Sequence, residues 1–298
     1  MIGQVMKANG DTMKGRVFGG RTLAAVLVSK AIPSARSFAA FRIMADLVRY
    51  RSLLLALLVR ELKARYRGSV LGFAWTFLNP LLLMAVYALV FRYYMRIAVP
   101  NYALFLLTGL LPWTWFSSSL AAGTNAIVGG SSLVTKSLFP SEILPAVVVL
   151  SNMVNFALSI PILTLVGWAC GVSFSLLGWL WLLPVMVLQC VLTFGLVLSV
   201  AALNVHYRDV QHAVENLLLL WFFLTPIVYP ASQVPERLRP LIWVNPMALF
   251  TGIYRDIFVV PAWPGLEPFG VLAAWSLASI LVGAKVFDVY RETFPELV

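Results

Sequence analysis

Apolar residues run along this chain in long blocks separated by short polar joints. No charge occurs from Leu71 to Phe91, none across the 39 residues from Ile97 to Thr135, and none across the 63 from Ile143 to Val205. A membrane-crossing helix needs about 20 apolar residues. The first block therefore predicts one crossing, Leu71 to Phe91, and the second predicts another, at about Ala103 to Ala122. The third block is too long for one crossing, and Gly171 to Gly178 supplies the turn between Ala146–Cys170 and Trp179–Leu203. Polarity returns at His206-Tyr207-Arg208-Asp209, after which a fifth crossing is placed at Asn216 to Val228 and a sixth at Phe269 to Ala284. Pro80 inside the first is tolerated because neighbouring helices satisfy the freed backbone groups.

Two segments have helical character without the length to cross. From Ser37 to Arg67, Leu47, Leu54, Leu58 and Leu62 fall near one face, but the uncharged piece Ser52 to Val59 spans only eight residues. This predicts an amphipathic interface helix over 37–69, lying on the cytoplasmic surface. Between the fifth and sixth crossings, 229–268 is too apolar for an ordinary loop, while its longest uncharged piece, Pro240 to Tyr254, is too short to span. One or two re-entrant or interfacial helices fit, with their ends covered by protein or a water-filled cavity. Residues 1–36 show no such period and are read as a flexible cytoplasmic extension. Their apolar patch Leu23 to Val28 is short of a signal-peptide core of about 7–15 residues.

The expected fold is thus all-α and polytopic, with a six-span domain over 70–298 behind the interface helix. Composition agrees: 61% of residues are hydrophobic and 11% charged, against roughly 25% charged in soluble domains. The net charge of +10 points to lipid headgroups rather than nucleic acid, because 13 of the 22 Lys and Arg lie before Leu71. Counted by side, 17 of them fall inside and 5 outside if the amino terminus is cytoplasmic, which puts both termini there. Cys170 and Cys190 sit in apolar runs and predict neither a disulfide nor a metal site.

The chemistry-bearing motifs are few. No Gly-x-x-x-x-Gly-Lys-Ser/Thr loop occurs, so the chain is not expected to hydrolyse ATP in that way. Neither a Cys/His cluster nor a nucleophile motif stands out, and no cofactor or metal is expected. The 12 acidic residues lie in termini, loops or span ends. A proton-coupled carrier keeps an ionisable group inside a span, so this distribution argues against proton coupling and against an enzyme using buried acids.

Several stretches carry a resemblance. Arg60…Arg65-Tyr66-Arg67-Gly68-Ser69-Val70-Leu71-Gly72-Phe73-Ala74-Trp75…Leu78-Asn79-Pro80 resembles the start of the membrane subunits of type-2 ABC exporters that move polysaccharides, the O-antigen, capsule and teichoic-acid permeases. So do Lys136-Ser137-Leu138-Phe139-Pro140-Ser141-Glu142-Ile143-Leu144-Pro145, Asn204 to Gln211, Thr225-Pro226-Ile227-Val228-Tyr229-Pro230 and Asn245-Pro246-Met247…Tyr254-Arg255-Asp256. The likeness runs from about Phe41 to the carboxyl end and departs at Ser141, where that family often has a basic residue. It implies a six-span inner-membrane subunit, acting as a homodimer with two copies of a separate ATP-binding subunit that binds the ATP. The implied cargo is a lipid-linked glycan carried outward.

The resemblance also implies roles. The segment 131–145 would couple to the ATPase through Leu133, Lys136, Phe139, Pro140 and Glu142, with Leu133 to Leu144 as a coupling helix. Pro140 and Pro145 suit a short rigid element there, and a plain cytoplasmic turn is the alternative. Arg60, Lys63 and Arg67 share one helical stripe at i, i+3 and i+7, suited to partner carboxylates or to lipid phosphates. Arg208 and Asp209 suit snorkelling and capping of the fifth span. Tyr87, Phe91, Tyr93, Tyr94, Trp113 and Trp115 near the outer ends of the first two spans, with Trp221, Phe222 and Phe223 in the fifth, fit an interfacial belt. The sharper reading puts Tyr87, Phe91, Tyr94, Trp221 and Phe222 along a path where sugar faces stack, with Pro235 to Tyr254 shaping its exit. Two other functions stay open at this point: a type-2 exporter of a drug or lipid, and a membrane glycosyltransferase.

Overall fold

The structure, a computed structural model, describes residues 39–68, 71–96, 99–135, 139–172, 176–259 and 265–298. The expected extension 1–36, the junction residues Ser69 and Val70, and Lys136 lie outside them. The described elements are all helical. In chain order they are α1 (Ala39–Arg49), α2 (Arg51–Tyr66), α3 (Trp75–Tyr87, running on as a π-helical stretch Ala88–Tyr94), α4 (Tyr102–Thr124), α5 (Ala126–Gly129) and α6 (Ser131–Val134). There follow α7 (Ile143–Ala169), α8 (Leu176–His206), α9 (Asp209–Leu224), α10 (Pro240–Val244), α11 (Pro246–Phe258), α12 (Leu266–Tyr290) and α13 (Phe294–Leu297).

The expected single interface helix is two helices. Tyr50, at φ −98° and ψ 25°, leaves the helical region between them. The two pieces dock on different partners, and the break lets them diverge. Helix α1 buries Ala39 and Ile43 and packs on α12, to which Arg42 adds an ion pair with Asp288. Helix α2 packs on α7.

Five described helices are long and apolar enough to cross a membrane: the α3–π-helix unit, α4, α7, α8 and α12. The expected fifth crossing, Asn216 to Val228, is displaced. Helix α9 begins seven residues earlier and stops at Leu224. Its 16 residues span about 24 Å at 1.5 Å each, short of a hydrocarbon core of about 30 Å. The stop has a local cause: Pro226 disfavours helical backbone in the residue before it, and Thr225 is extended at φ −97°, ψ 130°.

Helix α4 is apolar all round and is buried accordingly, with Leu104, Leu106 and Phe116 at 0% exposure. Helices α8 and α12 approach most closely at small residues, the usual device where apolar helices pack without a solvent-driven force. A Cβ on Gly283 would lie 2.0 Å from the Gly195 carbonyl oxygen, and one on Gly195 would lie 2.4 Å from the Ser279 carbonyl carbon. Helix α3 flanks this assembly and leaves Leu82, Leu83, Val86 and Leu89 exposed.

The segment expected to hold one or two short helices holds α10 and α11. Asn245 caps α11, accepting from the amides of Met247 (3.0 Å) and Ala248 (3.3 Å). The same oxygen accepts from Trp221 Nε1 at 2.8 Å, and Asn245 Nδ2 donates to Thr225 Oγ1 at 3.0 Å. One side chain thereby fastens the start of α11 to the end of α9. Ten of the 13 residues of α11, among them Met247, Phe250, Ile257 and Phe258, are buried, against α4 and α8. Arg255 donates to the Ile227 carbonyl at 2.9 Å, with its guanidinium carbon 3.8 Å from the centre of the Phe105 ring.

Candidate coupling site and transport path

Among the described residues of the turn between α4 and α7, the expected coupling helix Leu133 to Leu144 is not continuous. Helices α5 and α6 are four residues each, α6 stops at Val134, and Phe139 and Pro140 have no regular structure. Pro145 does not end an element; it sits in the first turn of α7, where its missing N–H removes no helical bond. Leu133 and Phe139 are half-buried and Pro140 is buried.

Glu142 is fully buried, so it does not present a surface charge to a partner in this conformation. Neither carboxylate oxygen has a hydrogen-bonding partner on another residue. Burial pushes its carboxyl above the usual range, its own backbone amide and Arg291 oppose that, and the Asp46 carboxyl beside it pushes the same way. Glu142, Asp46 of α1 and Arg291 thus bring the amino-terminal helix, the α6–α7 turn and the segment following α12 together. Nearby, His206 Nε2 lies 3.0 Å from Thr293 Oγ1, tying the end of α8 to the carboxyl-terminal segment. Asp209 occupies the first turn of α9, favourable for a negative charge, although no side chain caps that helix.

Arg60 and Lys63 are exposed on α2, while Arg67, also exposed, lies just past its end with extended backbone (φ −69°, ψ 127°), so it leaves the helical stripe that the spacing predicts. Arg65 was not part of that stripe and reaches the other way. Its Nη1 donates to Asn152 Oδ1 of α7 at 3.1 Å, and Asn152 Nδ2 donates to Ser119 Oγ of α4 at 3.2 Å. The signal for this contact was present in the sequence: Asn152, Asn155 and Ser159 sit at i, i+3 and i+7 in an uncharged span, a polar stripe on one helix face.

Most of the aromatic residues expected along a path do meet. Tyr87 and Phe222 stack with centroids 5.9 Å apart, Tyr87 meets Phe91 at 6.1 Å, Phe222 meets Trp113 at 5.7 Å, and Trp221 meets Phe116 at 5.1 Å. The cluster joins α3, α4 and α9. Phe222 is only 7% exposed and so packs the wall rather than facing an opening, whereas Tyr94, 73% exposed, stands free on the π-helical turn. No group of three or more His, Cys, Asp or Glu able to hold a metal occurs among the described residues.

Comparison with known proteins gives this arrangement its context. The profile of the ABC-2 type transporter family matches residues 52–259. The O-antigen export system permease protein RfbA of Myxococcus xanthus is 45% identical over 262 residues, covering 86% of this chain and 98% of that protein. The protein of the same description from Klebsiella pneumoniae is 31% identical, covering 82% and 94%. The polysialic acid transport protein KpsM of Escherichia coli is 25% identical, covering 80% and 93%. The matched span runs from α2 through α11, and on these grounds the chain belongs to the ABC-2 type transporter family as a membrane permease subunit.

Proposed function

We propose that the chain is the membrane subunit of an ATP-driven exporter that moves a lipid-linked polysaccharide of O-antigen or capsule type outward. The observation that carries this reading is the 45% identity over nearly the whole length of a protein described as an O-antigen export permease. The subunit works as a homodimer with two copies of a separate ATP-binding subunit, in the inner membrane, with both termini cytoplasmic. It needs no cofactor of its own, since the partner binds the ATP. Helix α9, continued by Thr225 to Tyr229, serves as the fifth of six crossings, and its short length fits a segment closed by the re-entrant α10–α11 pair.

Movement is the whole of its chemistry. ATP draws the two partner subunits together, and the exposed residues Arg60, Lys63 and Arg67 with the α5–α6 turn move with them. The Arg65–Asn152–Ser119 chain passes that displacement to α7 and α4, opening a path beside the aromatic wall of α3, α4 and α9. A deletion strain carrying this chain and its ATP-binding subunit tests the reading. Surface glycan restored by the pair, and by neither alone, is the expected result. Restoration of resistance to a drug with no change in glycan would favour the drug-exporter reading instead.

A further inference from the structure

Behind the Arg65–Asn152 contact lies a cavity of about 300 Å³ between α2, α3, α4 and α7. Its lining combines a guanidinium (Arg65), amide and hydroxyl groups (Asn79, Asn152, Ser118) and indole rings (Trp75, Trp115), and includes no carboxylate. Arg65 has no carboxylate partner among the described residues and remains exposed, so its charge is open to an anion. Asn152 is 5% exposed. Its contacts with Arg65 and Ser119 use one of its two N–H groups and one lone pair of its oxygen, so half its capacity is available to a ligand. Trp75, 40% exposed, opens the first turn of α3 and lines the cavity with its indole.

These groups match one ligand chemistry. Arg is the side chain best shaped to grip a phosphate, amides and hydroxyls suit sugar hydroxyls, and an indole suits the apolar face of a sugar ring. A volume near 300 Å³ is at the small end for ligand pockets, enough for one sugar and its phosphate but not for a glycan chain. The cavity is bounded by Arg65 in the last turn of α2, by the start of α3 and by the middle turns of α4 and α7.

We propose that this cavity binds the sugar–phosphate junction of the lipid-linked glycan, with Arg65 on the phosphate, Asn79 and Asn152 on the sugar, and Trp75 against its face. The proposal rests on the exporter reading and adds a loading site to it. The same phosphate chemistry occurs in anionic phospholipids, and the test separates the two sources.

The full chain in phosphatidylcholine nanodiscs is titrated with a labelled short-chain prenyl diphosphate hexose, and separately with the bare prenyl diphosphate. Saturable binding is expected, weakened about tenfold in Arg65→Gln by loss of a charged hydrogen bond, and weakened in Trp75→Ala for the hexose-bearing probe alone. Asn79→Ala, at an exposed helical position, should weaken the hexose probe as well and guards against a folding defect in the other two. Wild-type affinity in all three variants overturns the proposal. So does competition by phosphatidic acid as effective as that by the unlabelled hexose probe, which would make the cavity a general anionic-lipid site. If the wild type restores glycan export in the deletion strain yet binds no probe, the cavity proposal fails and the exporter reading stands. If it restores no export, the exporter reading itself fails.

Discussion

Arg65 of α2 and Asn152 of α7 are joined by a 3.1 Å hydrogen bond, a direct link from the basic helix α2 into the apolar helix bundle. Arg60 and Lys63 lie on a different face of α2 from Arg65.

If that link transmits motion, weakening it should uncouple the two activities. In Arg65→Ala, Asn152→Ala and the double variant, a double-mutant cycle on thermal stability should give a coupling of about 1 kcal/mol, because Arg65 is exposed and its bond only partly desolvated. Glycan export should fall in each variant while the partner's ATP hydrolysis persists. Equal loss of hydrolysis and export would mean that the contact serves assembly instead.

Glu142 gives a pH-dependent expectation. Its folded carboxyl titrates above its unfolded one, so the native state binds the extra proton and gains stability as pH falls from the raised value toward the ordinary carboxylate range. Above the raised value the cost of burying the charge is constant. Glu142→Gln removes that cost, so it should raise the thermal midpoint at pH 8 and flatten the slope between pH 8 and pH 5. Glu142→Arg, which sets a second cation beside Arg291, should reduce the yield of folded protein. An unchanged slope in Glu142→Gln would place the titrating group elsewhere.

The α8–α12 crossing predicts a contrast between glycines. Gly283→Ala forces a methyl into the Gly195 carbonyl at 2.0 Å and should cost about 1–3 kcal/mol, as overpacking does. Gly252→Ala on α11 meets nothing within 4 Å and should be neutral or stabilising by about 0.4–1 kcal/mol. Thermal midpoints in detergent read both, and a tolerated Gly283→Ala would show that the two helices lie farther apart.

Aromatic substitutions should separate wall from path. Phe222→Ala removes a buried ring in contact with Tyr87 and Trp113 and should cost about 3 kcal/mol of stability. Tyr94→Ala, at an exposed position, should leave stability unchanged and lower export. Full export by Tyr94→Ala would remove that residue from the path.

Long uncharged runs made the crossings legible, because burial in lipid forces composition over whole turns. Helices α4, α7, α8 and α12 fall where the runs are. What misled was local. The break at Tyr50 depends on two docking partners that no periodicity reveals, and the early end of α9 depends on Pro226, a signal present but outweighed by the apolar run that continues to Val228. The site was legible as a set of residue types more than as an arrangement. Arg60 and Lys63 are exposed on α2, but the helix ends at Tyr66 and carries Arg67 off the expected stripe, while Tyr87 and Phe222 do meet. Glu142, by contrast, sits in a charged joint of the sequence but is buried by α1 and the end of α12, elements more than 90 residues away in either direction. Arg65 was hidden because a basic residue beside three others, Arg60, Lys63 and Arg67, carries no mark of reaching toward α7.

Co-purification from detergent tests the central claim most directly, with the chain expressed beside its ATP-binding subunit. The account predicts that the wild-type chain retains that subunit and that the triple variant Arg60→Glu, Lys63→Glu, Arg67→Glu loses it while keeping the wild-type thermal midpoint. A wild-type chain that never retains an ATP-binding subunit, yet is folded and in the membrane, would contradict its assignment as half of an ATP-driven exporter.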